Sequence, residues 1–335
     1  MKPVINGRFT TRPVTGVERY SREIVERLES GVRLVTPEKY SAGIRGQFWE
    51  QFILPGAIQP GERLWAPANT GPLTVANQVL TLHDIAPLEH PEWFNPLFAL
   101  WYQYLIPRLV KSVHGVAVPS RYVRDRVIGR FSLSADRVIV VPGGVDTARF
   151  SPLAPHPLTR IPERYILFVG SLQPRKNIGA LLKAWQTIRG GNPEVILLIA
   201  GKPGRAFRKV ALPYESERVI FTGYFPDSDL PGLYARASLL VLPSLEEGFG
   251  LTALEAMACG IPVIASRAGA LPELIGDAGL LFEPADSATL ASHIHKCLND
   301  RALSTYLGEQ GRQRARQFSW QDSADRVWGI INHDV

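Results

Sequence analysis

Residues 164–201 read RYILFVGSLQPRKNIGALLKAWQTIRGGNPEVILLIAG. An apolar run of strand length at 164–171 gives way to an amphipathic stretch at 177–188 with helical spacing, and a second apolar run follows at 194–201. The pattern repeats downstream. RVIFTGY, LLVLPS, PVIAS and GLLFEP read as strands, and SDLPGLYARA, LTALEAMACG, LPELIG and DSATLASHIHKCLND as the helical segments between and after them. Strands that alternate with helices so regularly predict a parallel sheet covered on both faces, so the C-terminal half is expected to be a doubly wound α/β domain.

Working back toward the N-terminus, PVIN, NQVLTLHD, GVAVPS and RVIVVPGG read as strands. GVERYSREIVERLES reads as a helix, with Val17, Tyr20, Ile24, Val25 and Leu28 on one face. Between the halves, Pro152, Pro155, Pro157 and Pro162 make a stiff connector. A chain of 335 residues exceeds the usual size of one hydrophobic core, so two domains are expected, 1–155 and 156–318. Open α/β sheets bind ligands at the carboxyl ends of their strands, which places the site on strand-end loops facing a cleft between the domains.

A content of 45% hydrophobic and 20% charged residues is that of a folded soluble protein. The uncharged stretch from Trp93 to Pro107 is too short to span a bilayer, and the N-terminus has no apolar signal-peptide core. Cys259 and Cys297 cannot make a disulfide framework. A cytoplasmic location is expected. The net charge of +6 is uneven: residues 1–160 hold 19 Lys and Arg against 13 Asp and Glu, whereas the remainder is balanced. Much of the excess surrounds Arg108, Lys111, Arg121, Arg124, Arg126 and Arg130. Such a face suits an anionic membrane or a phosphorylated substrate, and equally an ordinary solvated helix. With no zinc spacing, RNA-binding aromatic motif or basic tail, nucleic acid is not expected as a partner.

The chemistry concentrates in residues 243–266, PSLEEGFGLTALEAMACGIPVIAS, which follow a strand directly. Gly248 and Gly250 let the backbone approach a ligand, and the helix opening at Leu251 supplies unsatisfied N–H donors. Glu255, one turn into that helix, carries a carboxylate able to accept from two vicinal hydroxyls, as on a ribose. This stretch resembles the retaining nucleotide-sugar glycosyltransferases of family four, whose signature is two glutamates separated by seven residues. The resemblance implies the GT-B architecture, two Rossmann-like doubly wound parallel-sheet domains facing a cleft, with 156–318 as the donor domain and 1–155 as the acceptor domain. It implies that Glu255 holds the donor ribose and that Glu247 contacts the transferred sugar, with the backbone at Gly248, Phe249, Gly250 and Leu251 assisting.

Arg175 and Lys176 stand in a loop between a strand and a helix, where two cations can stabilise a departing diphosphate. The PRKN segment is similar to the family's donor-phosphate loop. Where many members carry arginine after Val-Gly this chain has Ser171, so that duty moves to Arg175. The base is expected near Gly223 and Tyr224. In the first half, TRPVTGVERY resembles the family's glycine loop, with Thr15 and Gly16 approaching phosphate and acceptor, and TLHD resembles the segment whose histidine, here His83, points at the reacting centre. Ser120, Arg121 and Gly144 match further cleft positions, the first two on the acceptor side. Residues 319–335 resemble the terminal helix that packs back on the first domain, which makes Trp320 and Trp328 packing anchors.

A nicotinamide dehydrogenase is not expected without G-x-G-x-x-G after the first strand, and there is no Walker loop. No metal and no cofactor are expected. The resemblance implies a retaining hexosyltransferase of bacterial surface polysaccharide synthesis. GDP-mannose is the first-choice donor, with a UDP- or dTDP-sugar as the alternative. The acceptor is expected to be a saccharide, free or lipid-linked, at the cytoplasmic face of the inner membrane. A non-catalytic glycosyltransferase-like subunit and a nucleotide-sugar epimerase are the readings from other classes.

Overall fold

The computed structural model describes residues 2–28, 32–38, 43–203, 206–207 and 217–332. The chain forms two compact units. One comprises Met1–Pro91, Pro96–Gly144 and Ser319–Val335, and the other Glu92–Asn95 with Val145–Phe318. The connector prolines from Pro152 onward thus belong to the second unit, and the 155/156 boundary read from sequence falls inside it, because the unit begins at Val145.

The first unit holds strands β1 (Lys2–Asn6), β2 (Arg33–Val35), β3 (Glu62–Ala66), β4 (Gln78–Thr81), β5 (Gly115–Val118) and β6 (Val138–Val140). All pairings are parallel, in the order β2-β1-β3-β4-β5-β6, so the strand order reverses beside β1. The helix expected over 16–30 spans Gly16–Val25 and buries Glu18, Tyr20, Ser21 and Ile24, while Glu29 and Ser30 lie outside the described residues. Strand β3 was not legible in the sequence because it opens on Glu62 and Arg63. The sheet buries both, pairing Glu62 with Arg33 and letting Arg63 donate to the Ile331 carbonyl and to Asn77.

The terminal helix Trp320–Asn332 packs within this first unit, against β1, β3, β4 and the Gly16–Val25 helix. Its contact demands Gly144, where an added Cβ would stand 2.3 Å from the Trp320 nitrogen. Trp320 is buried and meets Tyr20 edge-on at 5.8 Å, so it is a packing anchor.

The second unit holds β7 (Tyr165–Val169), β8 (Ile196–Ala200), β9 (Val219–Gly223), β10 (Leu239–Leu242), β11 (Val263–Ser266) and β12 (Leu280–Phe282). Their order is β12-β11-β10-β7-β8-β9, again all parallel. The chain moves outward from β7 through β8 to β9, then returns to the other side of β7 at β10. That reversal opens a crevice at the carboxyl ends of β7 and β10. Two apolar layers cover the sheet, one built on Tyr165, Leu240 and Met257, the other on Trp185, Ile199 and Ile294. The architecture is the two-domain α/β fold that the alternation predicts. Among the described residues, no helix is long and apolar enough to cross a membrane.

Candidate functional site

The loop after β7 folds into a short turn at Pro174–Lys176, ended by Asn177 in the left-handed region at φ 50°. The Asn177 side chain donates to the Pro284 carbonyl at 3.0 Å, fixing the turn against the loop after β12. The Leu245 N–H donates to the Arg175 carbonyl at 2.7 Å, tying this turn to the loop after β10. Sheet order and this backbone bond together bring residues 175–176 and 244–247 into one place.

There the side chains close a charged cluster. The Lys176 ammonium donates to Glu247 Oε1, and Arg175 Nη1 donates to Glu247 Oε2 at 3.1 Å and to the Glu246 carbonyl at 3.0 Å. The Ser244 hydroxyl donates to Glu247 Oε1 at 2.7 Å, and Ser266 in turn donates to the Ser244 carbonyl. Lys176 and Glu247 are both buried, each about 7% exposed. Burial pushes the Glu247 carboxyl up, but the Lys176 and Arg175 charges and the Lys176 and Ser244 hydrogen bonds outweigh it and hold the group down to about 2. Glu247 is therefore an anion at neutral pH, with both oxygens engaged.

Two glycines make this geometry possible. Gly269, at φ +59°, lies so close to Glu247 that a Cβ would stand 2.3 Å from its carbonyl oxygen. At Gly250, φ is +107° and a Cβ would press on Leu271 and Leu274 at 2.9 and 3.0 Å, so the backbone turns into the Leu251–Ala258 helix with no side chain in the way. The first N–H groups of that helix, beginning at Leu251, lack intrahelical acceptors. Phe249 meets Phe318 edge-on at 5.8 Å, which orients the loop. Glu255 is buried one turn into the helix. Tyr224, just beyond β9, is half-exposed with the Lys202 ammonium 5.7 Å from its ring centre. The Ser171 hydroxyl accepts from Gln173 Nε2 at 2.8 Å.

The first-unit candidates follow β1, β4 and β5. His83 Nε2 lies 2.8 Å from the Pro67 carbonyl, an oxygen that can only accept, so Nε2 carries the proton and Nδ1 keeps a lone pair. Burial lowers the His83 pKa against the raising effects of the Pro67 bond, Asp84 and Glu18, which leaves the imidazole neutral. Tyr20 holds the ring edge-on at 4.8 Å and donates to the Val141 carbonyl. Gly16 opens its helix from an exposed position. The Thr15 amide, expected to approach a phosphate, instead donates to Glu18 Oε2 at 3.3 Å within a capping box. Ser120 is buried and its hydroxyl accepts from the Val123 N–H at 3.2 Å, capping the helix Arg121–Phe131, while Arg121 is exposed.

Several participants escaped the sequence reading. Ser244 stands in the quoted motif, yet nothing in its spacing shows that it braces Glu247. Under β1 lies a further buried network, in which Arg8 pairs with Glu50 at 3.0 Å and donates to Thr70 at 2.8 Å, and Asn6 donates to Glu50 at 2.6 Å. No motif announces that network. Among the described residues, no group of three or more His, Cys, Asp or Glu is placed to hold a metal ion.

Residues 157–314 match the family model described as glycosyl transferases group 1, and residues 59–149 that of glycosyltransferase family 4. The chain is 31% identical over 263 residues to the O-antigen chain mannosyltransferase B of Escherichia coli, a match covering 75% of this chain and 69% of that protein. It is 33% identical over 251 residues to the MMP alpha-(1->4)-mannosyltransferase of Mycolicibacterium hassiacum, covering 72% of this chain and 60% of that one. A match to the serotype-specific mannosyltransferase WbdA of Escherichia coli, at 31% identity, covers 73% of this chain but only 32% of WbdA. Among solved structures, the sucrose-phosphate synthase of Thermosynechococcus elongatus superposes with a TM-score of 0.74 over 98% of both chains at 22% identity. HepE of Anabaena, solved with UDP and glucose, gives 0.71 over 99% of both at 21% identity. At those identities the structural likeness speaks for the fold.

Proposed function

This chain belongs to the group 1 glycosyltransferases of the bacterial polysaccharide type and is a hexosyltransferase; we propose that it transfers mannose from GDP-mannose, with retention of anomeric configuration, to a saccharide or lipid-linked saccharide. The observation that carries the reading is the cluster of Lys176, Arg175 and Ser244 around Glu247 at the crevice between β7 and β10.

Arg175 and Lys176 take the diphosphate of the donor and neutralise the charge that develops on it as the glycosidic bond breaks. As the phosphate draws the two cations, Glu247 gains free lone pairs with which to accept from hydroxyls of the transferred sugar. Glu255 accepts from the ribose hydroxyls, and the amides from Gly248 to Leu251 donate to the sugar and phosphate oxygens. Tyr224 and the backbone beside it receive the base. Ser171 lines the phosphate loop, Gly16 approaches the donor phosphate, and His83 offers Nδ1 to a substrate hydroxyl. Arg121 is assigned to the acceptor, together with the backbone around Ser120. Glu247, held well below the usual carboxylate range, is a weak base, so the leaving phosphate itself takes the acceptor proton on the face from which it departs. No metal enters this scheme.

Mannose as the sugar is supported by the mannosyltransferases among the relatives, and GDP by its usual partnership with that sugar. Thermal unfolding in the presence of GDP, UDP, ADP and dTDP in turn tests the nucleotide, because a ligand that binds only the folded state raises its apparent stability. A shift with GDP alone supports the reading; a shift with UDP or dTDP alone replaces the donor. Proton coupling at the anomeric carbon of the product then distinguishes retention from inversion.

A further inference from the structure

The chain that leaves β3 stays attached to β4 for three residues more. Register pairs Ala66 with Leu80, and beyond it the Asn69 N–H donates to the Thr81 carbonyl at 3.1 Å. Asn69 Oδ1 accepts from the His83 N–H at 2.7 Å. In a parallel ladder a residue donates to one residue of its neighbour and accepts from the residue two further on. Asn69 reproduces that pair of bonds, with its side chain standing in for its own carbonyl. On the opposite edge the Leu82 N–H donates to the Ala117 carbonyl at 2.8 Å. The stretch Thr81–His83 is thus held on both sides past the end of β4.

The exchange of side chain for backbone follows from the turn. Asn69 has φ +68°, in the left-handed region, so the chain bends away there. Asparagine and aspartate enter that region more readily than other residues with a Cβ, and their short side chains carry an acceptor. Glycine enters it equally well but has no acceptor. The next residue is braced too: the buried Thr70 hydroxyl accepts from Arg8 Nη2 at 2.8 Å, and Arg8 is paired with Glu50.

Two residues before Asn69, the Pro67 carbonyl accepts the Nε2 proton of His83 at 2.8 Å. The same short loop therefore holds His83 twice, at the main chain through Asn69 and at the ring through Pro67. Tyr20 meets the ring edge-on at 4.8 Å.

We propose that Asn69 is a positioning residue for His83: its side-chain bridge fixes the Pro67 carbonyl against Nε2 and so selects the Nε2–H tautomer, which presents Nδ1 as an acceptor to a substrate hydroxyl. The last step rests on the role proposed above for His83; the selection of the tautomer does not.

Ring nitrogen-15 resonances at about pH 8, where an imidazole is neutral, read the tautomer. GDP release from GDP-mannose reads turnover. The wild type is expected to show a single Nε2–H tautomer for His83, assigned by its loss in His83→Ala. Asn69→Gly keeps the left-handed turn and deletes the acceptor. It should unfold cooperatively, show both tautomers and release GDP about tenfold more slowly. Asn69→Asp keeps an acceptor and should restore both readouts. In the His83→Ala background, Asn69→Gly should cost little further, whereas a merely structural loss would multiply through. A single Nε2–H tautomer in Asn69→Gly, or equal losses in Asn69→Gly and Asn69→Asp, overturns the proposal. Wild-type GDP release by His83→Ala instead removes His83 from the reaction, and no release by the wild type removes GDP-mannose as the donor; in both cases the resonances still decide whether Asn69 sets the tautomer.

Discussion

Lys176 donates its ammonium proton to Glu247 Oε1 across 71 residues of sequence, and both groups are buried. An ion pair withdrawn from water is held in place by mutual need: removal of one partner leaves the other charged and without compensation. In the proposed function the donor's diphosphate brings a second anion to that same lysine.

Glu247→Ala should therefore do two things beyond abolishing turnover. It should destabilise the ligand-free protein by about 3 kcal/mol, the usual consequence of stranding one member of a buried pair. It should also enlarge the stabilisation given by the correct nucleoside diphosphate, because phosphate then supplies the missing anion. Thermal unfolding with and without nucleotide measures both; a nucleotide shift smaller than that of the wild type would mean that Glu247 does not compete for the cations.

The pH dependence of stability follows from the same carboxyl. Its pKa in the folded chain is about 2, below the ordinary 4.5, so between those values the unfolded chain binds more protons than the folded one. The stability contributed by Glu247 is complete above about pH 5 and is lost as pH falls toward 2. Urea unfolding between pH 7 and pH 3 should show a decline that is shallower in Glu247→Gln.

Gly269→Ala should impair turnover more than it impairs folding. Its Cβ would stand 2.3 Å from the Glu247 carbonyl oxygen, and φ there is +59°, so the loop that carries Glu247 must move. As a control, Gly179→Ala in the helix Ile178–Ile188 meets nothing within 4 Å and should raise stability by about 0.5–1 kcal/mol through the unfolded state. Comparison of kcat with the unfolding midpoint separates the two effects.

His83 should titrate below the ordinary 6.5, because burial disfavours its charged form. Its stabilising contribution is then present above pH 6.5 and falls away as the pH drops below it. Histidine proton resonances followed by NMR check this: the His83 resonance should stay that of a neutral imidazole as the pH falls through 6.5.

Donor turnover should survive EDTA undiminished. Loss of activity on chelation, restored by manganese, would put a metal on the diphosphate and remove that duty from Arg175 and Lys176.

The second unit was legible because its strands are uninterrupted apolar runs and its helices keep one apolar face, as in the alternation of ILLIA, Ile196–Ala200, with the Trp185 face of the preceding helix. That Arg175, Lys176 and Glu247 stand in loops leaving strands was legible because apolar strand runs precede both segments. Strand β3 was hidden by Glu62 and Arg63, whose partners Arg33 and Ile331 are distant in the chain. The capping task of Glu18 was equally hidden, since a helix-start acid has the same local pattern whether it faces solvent or, as here, closes a box on Thr15.

Hydrophobic period and turn chemistry are local, so the sequence by itself determined where the strands and helices of the second unit lie, that its sheet is parallel, and which loops carry the charged and glycine-rich segments. Strand order, hydrogen-bond register and burial are settled between residues far apart, and only the tertiary structure decided those. It placed β10 beside β7, closed Lys176, Arg175 and Ser244 onto Glu247, sank Glu50 against Arg8, and left Phe48, Phe52 and Leu100 facing outward. The physical reason is that a side chain's charge state and its availability to a ligand depend on what surrounds it after folding, and that neighbourhood has no fixed spacing in the chain.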